Sequence, residues 1–515
     1  MSADWSGGYA VETGYTYHTY PELNPVRAAL PLLLKGVRAP KIETACELGF
    51  GQGCSAAVHA AAQADIEWWG CDFAPAQAVF ARDLVAASGA AAHFTDDSFE
   101  EFAARPDLPD FDFIALHGIW SWVGDEARNQ IVAFLRRKLK PGGVVYITYN
   151  AMPGWATVAP LRHLMKRHVD LMGVPAQGPQ ANAGAALSTL QRFFALDPAY
   201  ARLVPGVVDR LNGLMSQDRT YLVHEYLGGH WQPMWFAELE QRLASAKLSF
   251  GASAWMADHI DGLNLSPDML GFLAELPDPS LRETFRDVAV QAQFRRDYWL
   301  RGAQTLNPGD QRRALRDQRV VLAKPVRQRP AKTTGVYAET TLEGLVYDVL
   351  YDVLGDHQPR SLGELEALLP ADAPFPDLTQ AVVALMSQGA VLPAQGAETA
   401  TRSAGTARAL NLELARRAAE AGDLGVLASP VTGGALNASR FDQLFWLALQ
   451  QEGGQAGGGP EDWARHAADV LARQGQTLVS GGAPLSPEAV RTALEAQARS
   501  FAEVELPCWR GLGVA

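Results

Sequence analysis

From residue 42 onward the chain repeats one pattern: a short apolar run, a turn, then a longer segment whose apolar positions recur at helical spacing. Residues 42–48, 66–72, 92–95, 111–116 and 144–149 read as five strands. Between them lie an alanine-rich helix after Ser55, a helix over 75–88 and another over 125–139, the last stopped by Lys140-Pro141-Gly142-Gly143. Strands that alternate with helices need crossover connections, so the sheet is mainly parallel and covered on both faces. The fold class that follows is α/β, a Rossmann-like doubly wound sheet whose ligand lies beyond the carboxyl ends of the strands.

Beyond Trp155 strand signals become sparse, and mainly helical accessory domains follow. After a first domain of residues 1–158, residues 159–215 read as a helical insertion or dimerisation segment broken near Gly173 and Gly178. Residues 216–305 form a second module and 306–339 a less periodic connector. Residues 340–395 read as a small helical, winged-helix-like domain, with a capping box at Ser361-Leu362-Gly363-Glu364 and a core stripe at Tyr347 and Tyr351, one helical turn apart. Residues 396–515 form a C-terminal helical domain with a flexible loop at 453–459. The tyrosine- and proline-rich start, with Tyr15, Tyr17, Tyr20 and Pro21, makes either a lid or an N-terminal brace.

Composition narrows the function classes. A chain of 515 residues exceeds one ordinary domain, and 48% hydrophobic with 20% charged residues is an ordinary globular mixture. A formal net charge of −13 leaves no general basic surface for nucleic acid. The basic residues of the connector, Arg312 to Lys332, either lie solvated or face an acidic partner. No apolar run reaches the roughly 20 residues of a membrane span, and the N-terminus lacks a signal peptide's basic and apolar regions. The expectation is a cytoplasmic protein without membrane insertion. Cys46, Cys54, Cys71 and Cys508 show no C-x-x-C spacing, so neither a metal site nor a disulfide framework is supported.

The candidate chemistry centres on Glu47-Leu48-Gly49-Phe50-Gly51-Gln52-Gly53-Cys54. Strand, glycine turn and helix in that order bring backbone N–H groups close to a ligand. Gly49, Gly51 and Gly53 give G-x-G-x-G, whereas the dinucleotide fingerprint has its third glycine where Cys54 stands. That spacing, with Glu47, points to S-adenosyl-L-methionine rather than a nicotinamide. Asp72, ending the second strand, either accepts both ribose hydroxyls or caps the next helix. Phe73 follows it, and Asp97 and Ser98 stand where adenine would be read or where the chain simply turns. The cofactor set is therefore Glu47, Gly49, Phe50, Gly51, Gly53, Asp72, Phe73, Asp97, Ser98 and His117. Tyr17, His117, Trp120, Tyr149 and Asn150 form the candidate catalytic set lining an acceptor pocket.

Together, Glu47 to Gly53, His117-Gly118-Ile119-Trp120-Ser121-Trp122-Val123 and Thr148-Tyr149-Asn150-Ala151-Met152-Pro153-Gly154-Trp155 resemble the class I methyltransferases that carry a methyltransferase regulatory domain. Residues 221–236 and 285–302 are similar to that regulatory domain, and 427–433 extend the likeness over nearly the whole chain. The resemblance includes bacterial, rickettsial-type protein-lysine methyltransferases. It implies N-methylation from S-adenosylmethionine, a protein lysine as first acceptor, and a homodimer. Two stretches depart from it: Pro21-Glu22-Leu23-Asn24-Pro25 replaces a Gln-Thr-His-Pro type of entrance, and Phe50 stands where cysteine is common. A methyltransferase for a small molecule or sugar, and a non-catalytic S-adenosylmethionine-binding interaction protein, are the alternatives.

Overall fold

The structure, a computed structural model, describes residues 17–451 and 458–515. The expectations for Tyr15 and for the glycine loop as far as residue 457 lie outside the described residues.

The expected strands are β1 (Thr44–Leu48), β2 (Glu67–Cys71), β3 (Ala92–Thr95), β4 (Phe111–Leu116) and β5 (Leu139–Asn150), all parallel. Two more, β6 (Leu248–Ser253) and β7 (Phe294–Arg301), complete a seven-stranded sheet ordered β3-β2-β1-β4-β5-β7-β6, with β7 antiparallel to both neighbours. The order reverses between β1 and β4, and at such a switch point the loops diverge and leave a crevice. β5 begins at Leu139 rather than at residue 144. Leu139 pairs with Phe111, so Lys140-Pro141-Gly142-Gly143 belongs to an irregular strand start. Pro141 is tolerated because pairing with β7 starts only at Val144, leaving no ladder bond for its missing N–H to make.

Residues 216–305 are not set apart from the first domain, because β6 and β7 are strands of its sheet. The excursion between β5 and β6 is helical: α6 (Ala159–Met172), α7 (Gly178–Phe194), α8 (Ala199–Leu203), α9 (Val207–Met215) and α10 (Arg219–Leu227) enclose a core of their own around Leu187, Leu190 and Leu211. Five helices precede them: α1 (Pro25–Leu34), α2 (Cys54–Ala62), α3 (Pro75–Ser88), α4 (Phe99–Ala104) and α5 (Asp125–Lys138). All nine residues of α2 are buried, since the sheet lies on one side and the 25-residue helix Ala397–Ala421 on the other. Alanine at so many positions permits that close double contact.

The connector is ordered. It holds the helix Pro308–Arg316 and β8 (Arg319–Leu322), which pairs antiparallel with Arg360–Ser361 and Val391–Pro393 in a three-stranded sheet. The connector thus shares a sheet with residues 340–395. Arg316, Arg319, Arg329 and Lys332 find Glu366, Glu364, Asp348 and Glu339, so much of the basic cluster is neutralised within the chain. Tyr351 is buried between Leu350 and Leu354 as a core stripe requires, and Tyr347 packs beside them. The C-terminal helices carry two hairpins among the described residues, Val426–Ser429 with Gly434–Asn437 and the short Val479–Ser480 with Ala483–Pro484. Among the described residues no helix is long and apolar enough to cross a membrane, and all four cysteines are buried and unpaired.

Candidate active site

At the carboxyl ends of the first four strands lies a cleft of about 1000 Å³. Its floor follows from the glycine spacing. Gly49, Gly51 and Gly53 all adopt left-handed φ, at 70°, 59° and 69°, and so curl the chain from β1 into α2. A Cβ on Gly49 would run into the Ile119 side chain, and one on Gly53 would meet the Ala81 Cβ at 2.5 Å. The turn lets the Gly51 N–H donate to Asp72 Oδ2 (2.8 Å), while Asp72 Oδ1 accepts from Ala74 N (3.0 Å). Asp72 thus makes a turn into α3, whose N-cap is Ala74, and still lines the cleft.

Two buried carboxyls meet here. Burial pushes Asp72 up to about 6 against the pull of the Ala74 and Gly51 N–H groups. Burial, reinforced by Asp72, pushes Glu47 up to about 8. The Oε2 atom of Glu47 is buried without a hydrogen-bond partner among the described residues. An orphaned carboxylate oxygen on a cleft floor is a place for a cationic or hydrogen-bond-donating ligand group.

After β3, Ser98 caps α4 in a reciprocal box with Glu101, and Asp97 accepts from Arg105 Nη1 at 3.3 Å. The structure thus brings Glu47, Gly49, Phe50, Gly51, Gly53, Asp72, Phe73, Asp97, Ser98 and His117 around one cleft.

The catalytic set, by contrast, is dispersed. His117 lines the cleft, but its ring lies under Tyr20, with centroids 3.5 Å apart, and its Nδ1 meets Tyr146 Oη at 3.1 Å. Burial, Arg296 and His18 lower it to about 3, so the imidazole is neutral near pH 7 and is no proton donor there. Trp120 is fully buried and donates from Nε1 to Met234 Sδ (3.2 Å). Tyr149 is buried and donates to Asp297 Oδ2 (3.1 Å). Asn150 is buried as well, its backbone N–H donating to Ser121 Oγ (2.8 Å). Tyr17 packs against Phe80, centroids 5.0 Å apart. Of these five residues only His117 lines the cleft, a correction to the acceptor pocket expected from sequence.

The reasons are local. Along β5 successive side chains face opposite sides, so Tyr146 enters one core while Tyr149 enters the other. After β4 a turn closed by Trp122 N–H to Ile119 O tucks Trp120 inward, and Trp122 lines the cleft instead. Sequence reasoning also missed His18 and Tyr20, and Val223, His224, Glu225 and Gly228 to His230 from α10 and its following loop. The Tyr221-Leu222-Val223-His224-Glu225 run had been visible, but no local signal carries it to a cleft built about a hundred residues earlier. Among the described residues the lining has eight carboxylates and neither lysine nor arginine.

Comparisons with known proteins bear on this arrangement. Residues 45–143 match the family model of a methyltransferase domain, and residues 218–301 match that of a predicted methyltransferase regulatory domain. An uncharacterized protein of Synechocystis sp. is 33% identical over 517 residues, covering 99% of this chain and 100% of the relative. The chain belongs to the class I S-adenosylmethionine-dependent methyltransferases that carry a regulatory domain. PKMT2 from Rickettsia typhi, solved in complex with AdoHcy, shares the methyltransferase fold with a TM-score of 0.69 and 15% identity over 97% of this chain and 100% of that one. An uncharacterized protein of Rickettsia prowazekii is 26% identical over 297 residues, 55% of this chain and 51% of its own length. The methyltransferase cofactor is S-adenosyl-L-methionine, and the regulatory-domain match runs from α10 to β7, giving the fold two sheet strands and one rim of its cleft.

Proposed function

We propose that this methyltransferase acts on nitrogen, with a protein lysine side chain as acceptor. The observation that carries the reading is the acidic cleft, lined by eight carboxylates and no basic residue among the described residues, which favours a cationic acceptor over a neutral or anionic one. S-adenosylmethionine, when bound, supplies a methyl carbon made electrophilic by its sulfonium. Glu47 then meets the cofactor's α-ammonium with its orphaned oxygen, and Asp72 accepts the ribose hydroxyls. Phe73, Asp97 and Ser98 border the adenine, while Gly49, Gly51 and Gly53 let the backbone approach. A lysine amine has an ordinary pKa near 10.4, and a cleft that excludes water lowers it toward the reactive neutral form.

Incubation with methyl-labelled S-adenosylmethionine, lysine-rich proteins and a lysate of the source cells tests this. Base-stable label recovered as methyl-lysine is the expected result. Label confined to low-mass compounds would instead establish a small-molecule or sugar acceptor, and binding without any transfer a non-catalytic module.

The insertion is proposed as a homodimer contact. Leu171, Met172, Leu196 and Leu203 are 68%, 69%, 79% and 79% exposed on it, and a second copy would cover them. Light scattering should give twice the 55.6 kDa chain mass; a monomer's mass rejects the contact.

A further inference from the structure

α10 has two sides. Leu222 and Tyr226 sit in the core of the insertion, while Val223, His224 and Glu225 reach the cleft, whose wall continues through Gly228, Gly229 and His230. This wall packs beside the loop after β4: a Cβ on Gly124 would lie 3.5 Å from the His230 ring, and one on Gly228 3.7 Å from the Trp122 ring. The residues proposed for the cofactor follow β1, β2 and β3, with His117 after β4, so α10 borders the remaining part of the cleft.

Four of the eight cleft carboxylates are already engaged. Asp72 accepts from Gly51 and Ala74, Asp97 from Arg105, Glu101 from Ser98, and Asp125 pairs with Arg128 and Arg242. Asp96 and Glu126 are exposed to solvent. Glu47, buried, and Glu225, half-buried, remain, their carboxylates without a hydrogen bond or ion pair among the described residues. The two arginines whose fields reach Glu225 are held elsewhere. Arg162 donates from Nε to the Glu225 carbonyl (3.2 Å) and from Nη2 to the Gly228 carbonyl (2.9 Å), with its guanidinium 4.5 Å from the Trp231 ring centroid. Arg210 donates to Tyr226 Oη (3.3 Å).

We propose that Glu225 is the acceptor-ammonium site of the cleft, a catalytic residue supplied by the regulatory domain. Its carboxylate holds the acceptor nitrogen and takes one proton from it. The N–H electron pair stays on nitrogen as the lone pair that bonds the methyl carbon, and the electrons of the broken C–S bond return to sulfur. Burial pushes the Glu225 carboxyl up to about 7, with Arg162 and Arg210 drawing it down, so near neutral pH it is poised between its two forms. His224 and His230 flank it on the same wall, and Tyr226 follows it in α10. The regulatory domain would thus regulate by completing the acceptor half of the site.

This rests on the amine-acceptor reading, and the experiment separates the two. Protein loaded with S-adenosylhomocysteine is titrated with fluorescent oligolysine and with oligonorleucine. Glu225→Gln should weaken oligolysine binding about tenfold to a hundredfold, leave S-adenosylhomocysteine affinity unchanged without lowering the thermal midpoint, and flatten the acid limb of kcat/KM near pH 7; Glu225→Asp should recover part of each loss. Wild-type oligolysine affinity in Glu225→Gln overturns the proposal, as does a parallel loss of S-adenosylhomocysteine affinity. If the wild-type protein binds S-adenosylhomocysteine yet neither binds nor methylates oligolysine, the amine reading falls, and the role of Glu225 with it.

Discussion

Glu47 is a carboxyl whose surroundings favour its neutral form. Its value rises from 4.5 to about 8 through burial and the neighbouring Asp72. The folded chain therefore binds a proton that the unfolded chain has already released between those values, and stability falls as pH rises through that window. Asp72, raised from 3.8 to about 6, acts in the same direction over a lower range. Thermal midpoints of the ligand-free protein should decline from pH 5 to pH 8, with a shallower slope in Glu47→Gln. A ligand ammonium placed on Glu47 reverses the preference and expels the proton. Calorimetry of S-adenosylhomocysteine binding at pH 7, repeated in buffers of different ionisation enthalpy, should report net proton release that Glu47→Gln abolishes; equal release in both proteins removes Glu47 from the ammonium site. At this scale the loop was legible because consecutive residues carry it and the sheet topology fixes where strand ends lie. Trp120 and Tyr149 were misread because a single turn and a two-residue period decide which way an aromatic points, and the spacing of polar groups says nothing of either.

β7 shows the same limit for elements. The five parallel strands announced themselves as apolar runs, whereas β7 reads Phe294-Arg295-Arg296-Asp297, too charged to pass as a buried strand. The charge is internal. Arg295, with 8% of its side chain exposed, pairs with Asp287, Asp297 and Glu283, and Tyr149 donates to Asp297, so one guanidinium ties α-helical residues 279–289 to β7 and β5. Replacing it with methionine keeps the volume over Phe236, 4.6 Å from the guanidinium carbon, but leaves buried carboxylates unpaired. Arg295→Met should cost about 3–5 kcal/mol in urea unfolding. The loss should shrink at low pH, where Asp287 and Asp297, already raised to about 7 and about 6, become neutral. A pH-independent loss would mean that packing, not charge, holds this joint.

For the whole molecule, length and changes of period foretold several units but not how they close on one another. The C-terminal residues return to the start of the chain. Gln63, wholly buried, donates to Asn24 Oδ1 (2.7 Å) and to the Gly433 carbonyl (2.6 Å), and Asn24 Nδ2 donates to the Thr432 carbonyl (3.0 Å). Gln395 donates to the carbonyls of Ala62 (2.8 Å) and Pro430 (2.7 Å). These bonds surround the end of α2, whose other end carries the glycine loop, so unfolding the C-terminal helices would strip α2 of its cover and open the cofactor floor. Scanning calorimetry should then show one main transition, displaced as a unit by S-adenosylhomocysteine. Gln63→Ala, which leaves the Gly433 carbonyl unpaired, should lower stability by about 1–3 kcal/mol without splitting that transition. Two transitions, with only the first moving on ligand addition, would mean that the C-terminal residues fold apart from the cleft and that the buried amides merely dock them.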